Sequence, residues 1–304
     1  MRIVLSKNHF VLFILTLLVS IPISSYAVDG QRKLTQPISP ASFPIVINQA
    51  GSYVLTSNLV VPAELPNINA IEITVNDVTL DLNGHKIQGP NTGTGNGYGI
   101  YALGRYSITI RNGRIWGFGQ YGISLSSNTV DDPTAKGAGH IVENIQATNN
   151  TWGGIYVMAG LVINCTANSN GTNGYISPGI KVLNSTISHC TANKNTGEGI
   201  EAYNSTVTQS TTNYNLFSGI QAEKSIIKSC TAYKNSSHGI YGHNNSYIIE
   251  NNLRDNDGYG LVLAVIDGND FAIKNVASGN GTGNFYMETG NYMPIIGDNA
   301  NYGF

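Results

Sequence analysis

The sequence predicts an all-β protein, a right-handed parallel β-helix with caps at its N-terminal and C-terminal ends. Three observations predict this fold. A Gly-Ile or Gly-Leu dipeptide recurs along the chain, and its last five copies are spaced 20 or 21 residues apart. Apolar and polar residues alternate after each of these glycines, as in a strand with one face in a core. The apolar spacing never settles to the helical period, and Asn, Gly and Thr, which are weak helix formers, are abundant.

The first 27 residues are predicted to be a signal peptide. Arg2 and Lys7 supply positive charge, and the apolar run Phe10–Ile23 follows them. This run is shorter than the roughly 20 residues that a membrane-spanning helix needs. Small residues at Ser25 and Ala27 predict cleavage after Ala27. We therefore expect export to the periplasm or the extracellular space, with no membrane span left after cleavage.

Residues 28–304 are predicted to form one β-helix domain, with coils over about 45–285 and a C-terminal cap over 286–304. Residues 28–50 are expected to cover the first coil, because an open end exposes unpaired strand edges. The residue after each repeat glycine is Ile or Leu, the second is mostly polar, and the third is small or apolar. The repeat glycines are Gly99, Gly122, Gly154, Gly179, Gly199, Gly219, Gly239 and Gly260.

Two further columns recur at the predicted turns. One is a column of asparagines, whose amides can hydrogen-bond along a coil stack. The other contains all three cysteines, with Ser210 in one coil, and is predicted to face inward as small buried residues. Three cysteines in this pattern do not make a disulfide framework, and a thiol metal site is the alternative. The columns are Asn150, Asn195, Asn215, Asn235 and Asn256, and Cys165, Cys190 and Cys230.

Composition and charge exclude several classes of protein. The formal net charge is −2, and loss of Arg2 and Lys7 with the signal makes it more negative. Nucleic-acid binding requires a basic face, so no nucleic-acid partner is expected. Charged residues are only 11% and aromatic residues 9% of the chain, which excludes a disordered protein. We expect a monomer with an uncharged polar surface.

The coils resemble those of the pectate-lyase-like superfamily of right-handed parallel β-helices. Residues 78–87 (VTLDLNGHKI) and 110–118 (IRNGRIWGF) look like early coils of those proteins, and the resemblance covers roughly residues 45–285. It implies the fold, whereas the superfamily includes lyases, hydrolases, epimerases, tailspikes and non-enzymes. The polygalacturonase set of Asn-Thr-Asp, Asp-Asp and Gly-His-Gly is represented only by Asp131-Asp132, and the alginate epimerase signature Asp-Pro-His-Glu is missing.

Two outward columns form the candidate site. The first stripe lies two residues after the repeat glycine, and the second stripe lies four residues after it. Tyrosine rings stack on sugar faces, and Glu, Gln and Lys hydrogen-bond to hydroxyls, so both stripes are predicted to contact a polysaccharide. The alternative is an ordinary solvated sheet surface. The first stripe is Tyr156, Lys181, Glu201, Gln221 and Tyr241, and the second is Leu183, Tyr203, Glu223 and His243.

Specific roles within the stripes follow from side-chain chemistry. Tyr156, Tyr203, Gln221 and Tyr241 are the predicted substrate-binding residues. A catalytic base is predicted at His243 or Lys181, because His titrates near neutral pH and a Lys can be tuned by a neighbour. Glu201 or Glu223 would tune that base. A surface ion pair between Lys181 and Glu201 is the structural alternative.

Two other candidates lie outside the stripes. Asp131-Asp132 occurs in a loop with His140 and could supply oxygen ligands to Ca²⁺, although Asp132-Pro133 also suits a turn. The sequence therefore predicts no cofactor, with Ca²⁺ as the one candidate ion. Arg111 and Arg114 flank the Asn112-Gly113 turn, and an Arg here could hold a uronate carboxylate. Asp81 and His85 lie in the preceding similar segment, and a surface Asp–Arg pair is the alternative.

Three functions remain open from the sequence. The first is an exported carbohydrate-active or carbohydrate-binding β-helix that, if it is an enzyme, is a polysaccharide lyase. The second is a non-catalytic surface or periplasmic β-helix for adhesion or scaffolding, favoured by the regular coils and the lack of a convergent acidic cluster. The third is metal delivery for copper-enzyme maturation, which the presence of only four Met disfavours.

Overall fold

The computed structural model describes residues 30–90, 95–127, 138–171, 174–264 and 270–288, and the strands at 295–296 and 300–302. The described residues form a right-handed parallel β-solenoid of about ten turns. They contain no α-helix, and their helical content is one short 3-10 turn at Pro40–Ser42. The predicted fold class is therefore confirmed. No helix in this part of the chain is long and apolar enough to cross a membrane.

One sheet has eleven strands, and each coil contributes one strand to it. Successive strands pair in parallel, and the residues two and four after each repeat glycine stand beside their equivalents in the next coil. The register predicted from the glycines is therefore confirmed. The strands are Ile45–Ile47, Ile71–Ile73, Ile100–Leu103, Tyr121–Ser126, Gly153–Met158, Ile180–Leu183, Ile200–Tyr203, Ile220–Glu223, Ile240–His243, Tyr259–Ala264 and Gly283–Glu288.

The other sheet has 21 strands, because most coils contribute two short strands to it. The two nine-residue strands Ile108–Trp116 and His140–Thr148 run its full width and join both halves. Its strands are Arg32–Leu34, Gly51–Leu55, Leu59–Val60, Val78–Asp81, Lys86–Gln88, Ile108–Trp116, His140–Thr148, Gly160–Ile163, Thr166–Asn168, Thr186–Ser188, Thr191–Asn193, Thr206–Thr208, Thr211–Asn213, Ile226–Lys228, Thr231–Tyr233, Tyr247–Ile249, Asn252–Arg254, Phe271–Ile273, Val276–Ser278, Ile295–Ile296 and Ala300–Tyr302.

The core is a column of apolar side chains inside the coils. Ile100, Ile155, Ile200 and Ile240 each follow a repeat glycine and are completely buried. Inward residues of the 21-stranded sheet, such as Ile187, meet them from the other side. Because strand side chains alternate with period two, the same strands present their intervening residues to solvent.

The repeat glycine is required by close packing between coils. A Cβ atom on Gly199 would lie 2.7 Å from the carbonyl oxygen of Gly219 and 2.7 Å from Nδ2 of Asn215. Real Cβ atoms do not approach backbone atoms so closely, so a larger residue would push two coils apart. This contact explains why the Gly-Ile dipeptide marks the repeat.

The asparagine column is a buried ladder of hydrogen bonds, as predicted. Oδ1 of Asn215 accepts the backbone N–H of Asn195 at 3.0 Å and its Nδ2 at 2.9 Å. Nδ2 of Asn215 in turn donates to the Ala192 carbonyl and to Oδ1 of Asn235, both at 2.9 Å. The ladder also includes Asn170 and Asn280. The alignment on the repeat glycines did not find them, because neither lies four residues before a repeat glycine.

The cysteine column faces inward, and all three thiols are free and buried. Sγ of Cys230 contacts the carbonyl of Lys228 at 3.3 Å, and Oγ of Ser210 bonds the Thr208 carbonyl at 2.8 Å. Serine thus replaces cysteine in the same role. Burial raises the pKa of the Cys230 thiol to about 12. The described residues contain no group of three or more His, Cys, Asp or Glu that could hold a metal ion.

Several predictions fall outside the described residues or remain untested. The signal peptide, the Asp131-Asp132 pair and most of the predicted C-terminal cap lie outside them, so these stay predictions. The strand Arg32–Leu34 pairs in parallel with Tyr53–Leu55, so β-structure begins within the predicted N-terminal cap.

Candidate functional site

The outward side of the eleven-stranded sheet, called here the exposed face, contains both predicted stripes. Strand pairing places Lys181 between Tyr156 and Glu201, and Gln221 between Glu201 and Tyr241. The second stripe continues in the same way from Leu183 through Tyr203 and Glu223 to His243. The structure therefore brings all the predicted site residues onto one continuous surface.

A charged group occupies the centre of the exposed face. Nζ of Lys181 lies 3.1 Å from Oε1 of Glu201, with side-chain exposures of 29% and 13%. The same ammonium lies 5.5 Å from the centre of the Tyr203 ring. Burial, and after it the negative charge of Glu201, raises the pKa of Tyr203. The Lys181 ammonium thus lies between the Glu201 carboxylate and the Tyr203 ring.

Glu198 is a further residue of this centre that the stripes did not predict. It directly precedes Gly199, and its carboxyl group is half-buried. Desolvation raises the pKa of Glu198, and the charge of Glu201 raises it further. Strict alternation from Ile200 assigns this position to the inside, but the bend at the repeat glycine leaves it beside the exposed face. The residues that directly precede the repeat glycines are called here the third stripe, and they are Tyr98, Tyr121, Gly153, Pro178, Glu198, Ser218, His238 and Tyr259.

Aromatic residues flank the centre on its N-terminal side. The rings of Tyr98 and Tyr101 stack with centroids 4.7 Å apart, and those of Tyr121 and Tyr156 lie 5.5 Å apart. Burial is the main cause that raises the pKa of all four tyrosines. Their hydroxyl groups therefore stay protonated and can donate hydrogen bonds at neutral pH.

A second aromatic group flanks the centre on its C-terminal side. The His238 ring lies 6.0 Å from Tyr241 and 5.8 Å from Tyr259, and Tyr259 stacks on Tyr286 at 4.9 Å. Nδ1 of His238 accepts the backbone N–H of Tyr259 at 3.0 Å, and burial lowers the pKa of His238. The histidine is therefore neutral at pH 7 and serves as a flat ring in this group.

Two glycines make room for the rings. A Cβ atom on Gly153 would meet the Tyr121 ring, and one on Gly283 would lie 3.0 Å from the Tyr259 ring. Both glycines also have positive φ, 155° and 157°. Each tyrosine can therefore lie across the next coil and reach the first-stripe residue there, Tyr156 or Tyr286.

Glu223 and His243, neighbours in the second stripe, differ in their contacts. Oε1 of Glu223 accepts from Nδ2 of Asn244 at 3.3 Å and lies 4.0 Å from Nζ of Lys224. Nε2 of His243 is buried and has no hydrogen-bond partner among the described residues. The Tyr241 ring lies 5.5 Å from the His243 ring.

The candidates outside the stripes have structural roles in the described residues. Arg111 Nε donates to Oδ2 of Asp81 at 2.9 Å, so the surface pair is observed. His140 was expected in a loop, which is wrong: it begins the strand His140–Thr148 and is 2% exposed. Burial lowers the pKa of His140 to about 4. A shallow groove of about 530 Å³ lies beside the second stripe, between the turns 184–186 and 204–206.

The fold and the exposed face define the class: a parallel β-helix with a polar and aromatic sheet surface. The model of the family described as "Right handed beta helix region" matches residues 69–225, which is more than half of the chain. The chain belongs to this family. A search of the curated proteins found no match.

Solved structures of similar fold include two tailspikes. The Dettilon tailspike protein (gp208) matches with a TM-score of 0.59 and 15% identity, over 84% of this chain and 61% of that one. The Agl-KA catalytic domain matches at 0.52 and 13%, over 83% and 59%. Tailspike protein 2 (TSP2, ORF211) from Escherichia coli O157:H7 bacteriophage CAB120 matches at 0.50 and 13%, over 79% and 37%. The chain thus spans about three fifths or less of their lengths, and at these identities the likeness concerns the fold.

Proposed function

We propose that this chain is an exported protein that binds a polysaccharide lengthwise along the exposed face. The observation that carries the proposal is the continuity of the face. Two aromatic groups, around Tyr156 and around Tyr241, flank a polar centre on successive coils. Coils are spaced by about 4.8 Å, so a linear chain along the axis meets a new set of side chains at every coil.

Physical chemistry supports a sugar as the ligand. Aromatic rings have apolar faces for sugar C–H groups, and their polar edges hydrogen-bond to hydroxyls. Gln221, Lys181 and Tyr203 supply donors between the aromatic groups. The exposed face lacks the basic character that nucleic acid requires. We propose a monomer without a cofactor, with Ca²⁺ at Asp131-Asp132 as the one candidate ion.

A polysaccharide lyase is the enzymatic form of this proposal. The base would be His243 or Lys181, tuned by Glu201 or Glu223. The position of His243 beside Glu223 in the second stripe supports the first choice, because a base and the carboxylate that tunes it must be neighbours. The ion pair with Glu201 occupies the Lys181 ammonium and disfavours the second choice. Adhesion or scaffolding without catalysis is the rival, and it requires the same surface without turnover.

The test is a panel of polysaccharides, with and without Ca²⁺, in affinity electrophoresis of the purified protein. Retention by at least one polymer is expected, and Tyr203→Ala should weaken it because the substitution removes a ring and a donor from the centre. Mass spectrometry of the products separates the alternatives: a lyase gives chains that end in a sugar lighter by one water. Mobility unchanged by every polymer would contradict the proposed function.

A further inference from the structure

The groove beside the second stripe forms where small side chains interrupt a column of turn residues. Gly139, Ala159, Asn184 and Asn204 occupy equivalent turn positions, since the strands that follow them pair in register. All four have positive φ, between 46° and 62°. The first two bring at most a methyl group, whereas the last two bring an amide. The groove of about 530 Å³ lies along these four turns.

The lining of the groove is polar and uncharged. Thr186 and Thr206 are partners in adjacent strands and supply hydroxyl groups. Ser185 and Ser205 are buried beside them, and Oγ of Ser205 accepts the backbone N–H of Ser185 at 3.0 Å. None of the described residues that line the groove carries a charge. The lining changes at the next coil, where Ile226 pairs with Thr206.

Two amides give the groove oriented hydrogen-bonding groups. Nδ2 of Asn204 donates to Oδ1 of Asn184 at 2.6 Å, which sets the orientation of both side chains. This bond leaves Nδ2 of Asn184 as a donor and Oδ1 of Asn204 as an acceptor for a ligand. A sugar hydroxyl both donates and accepts, so it can bond to such a pair. A carboxylate only accepts, and the lining offers it no cation.

The groove opens beside the exposed face and not on it. Leu183 and Tyr203 of the second stripe directly precede Asn184 and Asn204, so this stripe separates the groove from the first stripe. A sugar chain that follows the axis along the first stripe therefore does not enter the groove. A sugar linked sideways to that chain can reach it, because three residues of strand, about 10 Å, separate Glu201 from Asn204.

We propose that the groove is a subsite for an uncharged sugar branch of the polysaccharide that binds along the exposed face. The inference rests on the proposed polysaccharide binding and names the class of polymer, a branched one whose side sugars carry no charge. The groove volume of about 530 Å³ falls within the range of small-ligand sites. The branch in the groove then distinguishes a branched polymer from a linear one with the same main chain.

The experiment compares pairs of neutral polymers that share a main chain: galactomannan with mannan, arabinoxylan with xylan, and xyloglucan with cello-oligosaccharides. Titration calorimetry of the purified protein should show tighter binding of the branched member in at least one pair. Asn184→Gly should reduce that affinity by about 2- to 12-fold, as expected for one lost hydrogen bond, and should leave the affinity for the linear member unchanged. Glycine suits the φ of 50° at this position, so the substitution preserves the turn.

Ala159→Asn is the second variant, because it places an amide where the groove now has a methyl group. Asparagine tolerates the φ of 54° at this position. The variant should abolish the preference for the branched member and retain binding of the linear one. Asn164→Gly is the matched control, since Asn164 has a φ of 53° in an exposed turn of the 21-stranded sheet, and its affinities should equal those of the unaltered protein.

Thermal melting of each variant checks that it folds. Equal affinity for both members of every pair overturns the branch subsite and leaves polysaccharide binding standing, and so does a preference for the branched member that survives both substitutions. Tighter binding of alginate or pectate, included as acidic linear polymers, overturns the uncharged class. A protein that binds no polymer contradicts the proposed function itself.

Discussion

His140 is a buried histidine whose ring hydrogen-bonds to the backbone of the preceding coil. Its Nδ1 accepts the N–H of Ile108 at 3.4 Å, and the ring also bonds to the backbone of Arg105. Desolvation lowers its pKa to about 4, from an ordinary value of 6.5. In the unfolded chain the ring takes up a proton near pH 6.5, whereas in the folded protein it stays neutral down to about pH 4.

Acid should therefore destabilise the protein through His140. Between about pH 6.5 and 4 the folded state binds fewer protons at His140 than the unfolded state does. As the pH decreases through this window, His140 therefore lowers the free energy of unfolding by about 1.4 kcal/mol per pH unit. His140→Gln should lower stability at pH 7, because a buried ring and its bonds are lost, and should flatten the fall. Urea midpoints at pH 7.0, 5.5 and 4.5 measure this.

His189→Gln is the control for this prediction, since His189 is exposed in the turn after the strand Thr186–Ser188. Its pH profile should follow that of the unaltered protein. A His140→Gln profile with the same fall toward pH 4.5 as the unaltered protein would show that another group causes the acid sensitivity.

The element that stabilises each coil against the next is the asparagine ladder. Asn215 is completely buried, accepts two hydrogen bonds from Asn195 and donates one to Ala192 and one to Asn235. Its substitution removes four hydrogen bonds and leaves the backbone N–H of Asn195 without the acceptor Oδ1, although Oδ1 of Asn235 still accepts the backbone N–H of Asn215. A buried group left without a partner costs about 1–3 kcal/mol. Because a solenoid coil contacts only its neighbours, the lost hydrogen bonds affect the adjacent coils, which lie in the middle of the stack.

Asn215→Ala is predicted to lower the free energy of unfolding by at least about 3 kcal/mol. Asn213→Ala is the matched control, since it changes the same residue type two positions away, where Oδ1 has no hydrogen-bond partner among the described residues. It should cost far less. Differential scanning calorimetry and urea titration measure both variants, and equal losses would contradict the ladder as the main stabilising element.

The regular repeat allowed the strands and the outward stripes to be located from the sequence. Where insertions interrupt the repeat, residues of the buried columns were missed. A glycine followed by Ile gives the register of each strand, so the first and second stripes were located correctly. Asn170 was missed because an insertion separates it from Gly179 by nine residues instead of the usual four. The buried column Ser185, Ser205, Ser225 and Ser246, which ends at Asp270, was not predicted at all, because serine is equally common at exposed positions of the repeat.

The site was less predictable than the fold, because it depends on side-chain direction at a bend. Alternation from Ile200 assigns Glu198 to the core, whereas the backbone bends at Gly199 and leaves Glu198 half-buried, where the charge of Glu201 raises its pKa. The same bend places Tyr121 and His238 at the exposed face. The sequence shows that these positions are rich in Tyr, His and Glu, but residue type alone does not show which way the chain bends.

At the scale of the whole molecule, the solenoid separates its two aromatic groups by a fixed distance. Tyr156 and Tyr241 lie four coils apart in the first stripe, which at about 4.8 Å per coil is about 19 Å. A polysaccharide that follows the axis can stack on both groups at once, whereas a short oligosaccharide reaches only one. Because the coil stack is rigid, we expect a polysaccharide that is long enough to reach both aromatic groups to bind more tightly than a shorter one.

Tyr156→Ala and Tyr241→Ala are each predicted to weaken binding of the long polymer by about 2- to 12-fold, which corresponds to the 0.5–1.5 kcal/mol of an aromatic contact. Because the sites are far apart and share no partner, the double variant should show the product of the two losses.

An oligosaccharide too short to span both aromatic groups should bind to one of them. Substitution of the other group should therefore leave its affinity unchanged. Tyr247→Ala, on the 21-stranded sheet and 47% exposed, is the control and should leave affinity unchanged. Titration calorimetry with oligosaccharides of increasing length decides the matter: affinity that does not grow with length, or a double variant no weaker than either single one, would place the ligand across the coils instead of along them.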